Sequence, residues 1–194
     1  MEPFEWSNRV HFIVTYMYDT DNNGYLDVCD FECLALKYAI QECKGVYNKE
    51  VHDKKKQVMI NLWNEIADMA DFNKDGQVTV EEFKQAVQNA CFGKTFDNFP
   101  ESLKYAITSK FNTTDNNEDG LITLEEYRLD CVSRTAIGSV AEIDECFEKL
   151  LNEDDQRLGG INLSRYQELF AQFIGSPESK VPGVYLFGPL PVIG

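Results

Sequence analysis

The sequence predicts an all-α fold: four helix–loop–helix units in two packed pairs, a compact globule with short β bridges between paired loops. Three observations predict it. A twelve-residue loop frame occurs three times and survives in degraded form a fourth time. Apolar residues step by three and four on either side of each loop. The 194 residues are 43% apolar and include 13 Phe, 9 Tyr and 2 Trp, enough to fill a core.

The first loop runs from Asp19 to Asp30 (Asp-Thr-Asp-Asn-Asn-Gly-Tyr-Leu-Asp-Val-Cys-Asp). Oxygen-bearing residues stand at positions 1, 3, 5, 9 and 12, glycine at 6 and an aliphatic residue at 8. Before the second loop, Val58, Leu62 and Ile66 form a helical stripe; after it come Phe83, Ala86, Val87 and Ala90. That loop, Asp71 to Glu82, repeats the frame with Gly76 and Val78. Phe92 to Phe99 reads as a linker between halves, and Pro100 as a helix start. Leu103, Ile107 and Phe111 then lead into the third loop, Asp115 to Glu126, which makes the same choices again. A fourth loop is found from its flanks. Ile143, Phe147, Leu150 and Leu151 enter and Tyr166, Leu169, Phe170 and Phe173 leave, which places the loop from Asp154 to Arg165. The units group as residues 1–95, residues 96–175, and an apolar tail, residues 176–194. The prolines and glycines of that tail preclude a regular helix, and Val184, Tyr185, Leu186, Phe187 and Leu190 are too apolar to leave in water, so it is expected to dock on the body.

This frame is the chemistry of a calcium-binding EF-hand. Calcium takes six to eight hard oxygens, and a short loop must turn sharply to supply them. Side chains at 1, 3 and 5 converge, glycine at 6 permits the turn, position 7 offers its carbonyl, position 9 often acts through water, and a Glu at 12 gives two oxygens. Those roles fall to Asp71, Asn73, Asp75, Gln77, Thr79 and Glu82, and to Asp115, Asn117, Asp119, Leu121, Thr123 and Glu126. In the first loop they fall to Asp19, Asp21, Asn23, Tyr25, Asp27 and Asp30. Asp30 is one methylene shorter than Glu, so one oxygen of contact is expected, and a smaller shell that admits magnesium as competitor at this site. The fourth loop has Gln156 at 3, Leu158 at 5 and Arg165 at 12, and is expected to bind nothing. It keeps Ile161 at position 8, matching Leu26, Val78 and Ile122, and is read as retained to complete a pair with the third hand.

With the loops in place, the chain resembles the invertebrate, crustacean-type sarcoplasmic calcium-binding proteins along essentially its whole length. The resemblance rests on Tyr16-Met-Tyr-Asp19, Asn61-Leu-Trp-Asn-Glu-Ile-Ala67, Ala70-Asp-Phe-Asn-Lys-Asp-Gly76, Tyr127-Arg-Leu-Asp-Cys131 and Leu186-Phe-Gly-Pro189. It implies an aromatic-rich four-hand fold with hands one to three binding, and a parvalbumin-like buffer of the muscle cytosol. It also implies that homodimers occur in the family and that members act as food allergens.

The remaining features exclude other classes. A net charge of −15 disfavours nucleic acid and anionic membranes and favours cations. No apolar run reaches the roughly 18 residues of a membrane span. The opening Met-Glu-Pro-Phe-Glu has neither a basic nor an apolar leader pattern, which puts the expectation in the cytoplasm. Six cysteines are read as reduced thiols, most of them packed. No nucleophile elbow, phosphate loop or zinc-protease helix is present, so no enzyme is expected. Four methionines, against so many rigid aromatics, favour a buffer over a sensor that exposes a surface to a target protein, and no obligatory target is expected.

Overall fold

The computed structural model describes residues 3–193. The chain enters through α1 (Trp6–Phe12), which widens into a π-helical turn (Ile13–Tyr18) closed by the Asp19 amide on the Val14 carbonyl. The first hand continues through β1 (Tyr25–Leu26) to α2 (Val28–Glu42). The second comprises α3 (Lys49–Ala70), β2 (Val78–Thr79) and α4 (Val80–Cys91). A short 3₁₀ turn, Phe96–Asn98, follows. The third hand is α5 (Glu101–Thr114), β3 (Leu121–Ile122) and α6 (Leu124–Val132). The fourth is α7 (Val140–Leu150), α8 (Glu153–Leu158), β4 (Ile161–Asn162) and α9 (Leu163–Gly175).

The hands pair through two antiparallel bridges, as the position-8 residues predict. Leu26 faces Val78, and Ile122 faces Ile161; all four are buried. Each loop therefore holds its partner by backbone hydrogen bonds across an apolar contact. Because neither exiting helix of a pair can bury its stripe alone, the aromatics collect between the helices. Tyr18, Phe31 and Trp63 stack within the first pair at centroid distances of 5.5 and 5.4 Å. Phe111 and Tyr166 meet at 5.5 Å in the second.

The halves are joined by polar side chains that finish helix ends. Pro100 offers no capping side chain, and Glu65 of α3 accepts from the Ser102 amide at 3.1 Å instead. Arg9 is fully buried in α1, and burial pushes its pKa down to about 10. Its guanidinium donates to carbonyls of Gln172, Phe173, Ser176 and Glu178 at the end of α9, where a cation meets the negative end of the helix dipole. Trp6 Nε1 donates to the Ile174 carbonyl at 2.8 Å.

The chain ends in a 3₁₀ turn, Pro182–Tyr185, and an irregular segment. Val184, Leu186, Phe187 and Leu190 are all buried, and Phe187 lies 4.8 Å from Phe173 and 5.6 Å from Phe170. Asn8 holds this segment from the opposite end of the sequence, donating to the Pro191 carbonyl at 2.9 Å and accepting from the Ile193 amide at 3.0 Å. The cysteines divide: Cys91, Cys131 and Cys146 are buried and Cys43 is half-buried, whereas Cys29 and Cys33 are exposed on α2. Position 11 of a loop and the residue four beyond it lie on the outer face of the exiting helix, so their burial was never required.

Candidate metal centres

Each of the first three loops folds into the same backbone shape. Position 4 takes a left-handed conformation (Asn22, Lys74 and Glu118, φ 58° to 61°), and the glycine at 6 takes another (Gly24, Gly76 and Gly120, φ 81° to 90°). The second is cheap only without a Cβ. The first is tolerated by lysine and glutamate because the loop amides gain carboxylate acceptors in exchange. Asp71 accepts from the Asp75 amide at 3.2 Å and the Gly76 amide at 3.0 Å. Asp115 does the same with Asp119 at 3.1 Å and Gly120 at 2.9 Å, and Asp19 with Asn23 at 3.2 Å and Gly24 at 3.0 Å. The position-1 oxygens are thus held in place by the loop's own amides.

Positions 3 and 5 are fixed likewise. Asn73 Nδ2 donates to Asp75 at 2.9 Å, Asn117 Nδ2 to Asp119 at 2.8 Å, and Asn23 Nδ2 to Asp21 at 3.1 Å. The carbonyl-bearing residues at position 7 sit on or beside the bridges: Tyr25 and Leu121 in β1 and β3, Gln77 just before β2. Positions 9 and 12 form capping boxes that start the exiting helices. Thr79 pairs with Glu82, Thr123 with Glu126 and Asp27 with Asp30. One choice of residues therefore ends the loop and begins the helix.

The first loop carries the densest charge. Carboxylate oxygens of Asp19, Asp21 and Asp30 lie within 4.8 Å of one another, the one such grouping of three metal-ligating side chains among the described residues. Burial, with the Asp30 charge behind it, pushes the Asp19 pKa up. Asp30 is itself buried; one oxygen accepts from the Thr20 amide at 2.7 Å, the other from the Asp27 amide at 3.0 Å. Like charges held this close repel one another, and a cation between them would relieve that repulsion. The all-oxygen donor sets of the three loops fit a hard divalent ion and not a soft one.

The fourth loop is built differently. Residues 153–158 are helical, so position 4, Arg157, has no left-handed turn, and the frame keeps only its glycine (Gly159, φ 81°) and the bridge that follows it. Asp154 at position 1 points to solvent and pairs with Arg157 at 2.5 Å. Arg165 at position 12 turns inward, with Nε 3.1 Å from buried Asp155 and Nη2 3.1 Å from the Leu150 carbonyl. The protein supplies its own cation here. This helix and its Asp155–Arg165 pair were not foreseen from the sequence, although Asn152-Glu-Asp-Asp155 is a capping-box pattern that signals a helix start.

Comparisons with known proteins agree with this geometry. Residues 16–88 match the family model of the EF-hand domain pair. The chain is 58% identical to the sarcoplasmic calcium-binding protein of Scylla paramamosain, over 96% of this chain and 97% of that protein. It is 54% identical to sarcoplasmic calcium-binding protein 1 of Astacus leptodactylus, with the same coverage. The solved structure of an amphioxus sarcoplasmic calcium-binding protein superposes with a TM-score of 0.77 at 21% identity, over 96% of this chain and 98% of that one. The photoprotein clytin shares the fold at a TM-score of 0.59 and 14% identity, over 95% of this chain and 93% of that one. No helix among the described residues is long and apolar enough to cross a membrane. With relatives this similar over nearly the full length of both chains, the chain belongs to the sarcoplasmic calcium-binding protein family.

Proposed function

We propose that this protein is a cytosolic calcium buffer of muscle, holding three calcium ions per chain and acting as no enzyme. The observation that carries the reading is the common shape of loops one to three, each with its carboxylates already fixed on loop amides. Asp19, Asp21, Asn23, Asp27 and Asp30 with the Tyr25 carbonyl would hold the first ion. Asp71, Asn73, Asp75, Thr79 and Glu82 with the Gln77 carbonyl would hold the second. Asp115, Asn117, Asp119, Thr123 and Glu126 with the Leu121 carbonyl would hold the third. The shorter Asp30 suits the first site to magnesium competition. Residues 1–95 and 96–175 act as the two pairs.

A buffer rather than a sensor is supported by the covered apolar surface. Sensors open a groove to a target on loading, whereas buffers barely open. Here Phe187, Leu186 and Leu190 of the chain's own tail occupy the apolar surface beside α6 and α9. Relatives named for the sarcoplasm support the muscle cytosol as its place. Titration calorimetry with calcium, with and without millimolar magnesium, tests the reading. Three sites are expected, the first weakened most by magnesium. Any other stoichiometry, or strong binding of an apolar dye on calcium loading, overturns it.

A further inference from the structure

Hand three differs from the others at one matched pair of positions. Five residues before each loop and four after it, the entering and exiting helices face one another. Hand one has Val14 and Leu34 there, and hand two has Ile66 and Ala86, all buried. Hand four has Lys149 and Leu169, and that lysine turns to Glu145 instead. Hand three alone has an ion pair at this register: Lys110 Nζ lies 2.5 Å from Asp130, with side chains 16% and 10% exposed. Arg134, 5% exposed, binds the second oxygen of the same carboxylate. Burial by itself would raise the Asp130 pKa, but Arg134 and Lys110 outweigh it and hold the group well below the usual carboxylate range.

The far side of Arg134 meets the tail. Its Nη2 donates to the Phe187 carbonyl at 3.4 Å, and its guanidinium lies 4.9 Å from the centroid of the Phe187 ring. Two residues of α6 itself hold the same segment. The Tyr127 hydroxyl donates to the Tyr185 carbonyl at 2.5 Å. A Cβ at Gly188, which is left-handed at φ 83°, would stand 2.7 Å from Cys131 Sγ, so the tail backbone lies against that thiol. Within nine residues, then, α6 carries Glu126 toward loop three, Tyr127 and Cys131 toward the tail, and Asp130 toward Lys110 and the Arg134 that also meets the tail.

We propose that Lys110, Asp130 and Arg134 are positioning residues for calcium at loop three, and that they couple its occupancy to the seating of the C-terminal tail. This rests on the reading that loop three binds calcium. The Lys110–Asp130 pair fixes the separation of α5 and α6 one turn from the loop, which sets where Glu126 stands. A change in that separation on calcium loss must strip a buried charge of its partner or carry Arg134 away from Phe187. Coupling between two binding equilibria is reciprocal, so loosening the tail weakens loop three by the same factor as emptying the loop loosens the tail.

The test combines calorimetry with amide hydrogen exchange at Leu186 and Gly188, measured on the full chain at calcium just sufficient to fill three sites of the parent protein, where a site weakened about a hundredfold stays largely empty. Glu126→Gln should remove one ion and speed tail exchange about tenfold, within the usual span of coupling factors. Glu82→Gln should remove one ion and leave the tail unchanged. Arg134→Gln should weaken the third site by about the factor that it adds to tail exchange, leaving sites one and two within about twofold, with partial rescue in Arg134→Lys. Phe187→Leu, which keeps apolar bulk but removes the ring from the guanidinium, should act in the same direction if Arg134→Gln does not fold. Equal loosening by Glu82→Gln and Glu126→Gln, or equal weakening of all three sites by Arg134→Gln, overturns the coupling. A stoichiometry unchanged in Glu126→Gln instead overturns loop-three binding itself, and the coupling with it.

Discussion

Loops three and four lie side by side across a two-residue bridge, yet they balance their charges in opposite ways. Loop three gathers Asp115, Asp119 and Glu126 on its own amides, and under the proposed function a cation from solution answers them. Loop four buries a single carboxylate, Asp155, and answers it with Arg165 from position 12 of its own frame. The apolar half of the unit is the same in both, with Ile122 and Ile161 facing each other. A hand thus consists of two separable parts. Position 8 and the helix stripes make the pair fold, while positions 1, 3, 5, 9 and 12 are, under the proposed function, what makes it respond to a metal. Loop four has kept the first part and carries an internal ion pair where the second would be, so under the proposed function its contribution to the pair does not depend on calcium.

Arg165→Ala should break this comparison most sharply. It leaves Asp155, 2% exposed, as a buried charge without its partner, at a cost of about 3–5 kcal/mol. Chemical denaturation should show that loss equally with calcium and with chelator; a loss seen only with calcium would mean that loop four belongs to the metal-dependent part after all.

Glu126→Gln is the counterpart in loop three. Removing the carboxylate that closes the site should lower affinity there by about a hundredfold, about 2.7 kcal/mol, while chelator-treated protein stays within about 0.5 kcal/mol of its original stability. Calorimetry gives the first quantity and urea unfolding in chelator the second.

The two left-handed glycines sharpen the contrast further. Gly120 (φ 86°) and Gly159 (φ 81°) both have empty space where a Cβ would go, so alanine brings backbone strain and no clash. Each substitution should cost about 1–2 kcal/mol in chelator. Only Gly120→Ala should also lower calcium affinity, which calorimetry on the two variants checks.

A smaller effect is expected in acid. Asp130 has its pKa depressed in the folded state, so its contribution is complete above the unfolded value of about 3.9 and is lost as pH falls below that toward the folded value. Lys110 and Arg134 face this carboxylate, with the Tyr38 phenol nearby. In chelator, Asp130→Asn should show a shallower decline of stability between about pH 4 and pH 2 than the parent chain; parallel curves would show that the charge on Asp130 does not matter to folding.

The smallest change is chemical. Burial pushes the Cys91 and Cys131 thiols up to about 12 and Cys146 to about 11, so a thiol reagent near pH 8 should label exposed Cys29 and Cys33 first and the buried three only on unfolding.

The amino-acid sequence by itself determined the three repeated loop frames, the left-handed glycines and the position-8 partners across each bridge. All of these are set by spacings within twelve residues or by one periodicity of 3.6, and elementary geometry turns such spacings into a shape. Tertiary structure alone decided that Asp155 rather than Asp154 would be the buried acid of loop four, that Lys110 and Asp130 would meet, and that Arg9 would finish a helix more than 160 residues away. It also decided which thiols would be buried. Those outcomes depend on which helix faces come together, and the desolvation and pairing of a charged side chain is settled by neighbours that no local pattern names.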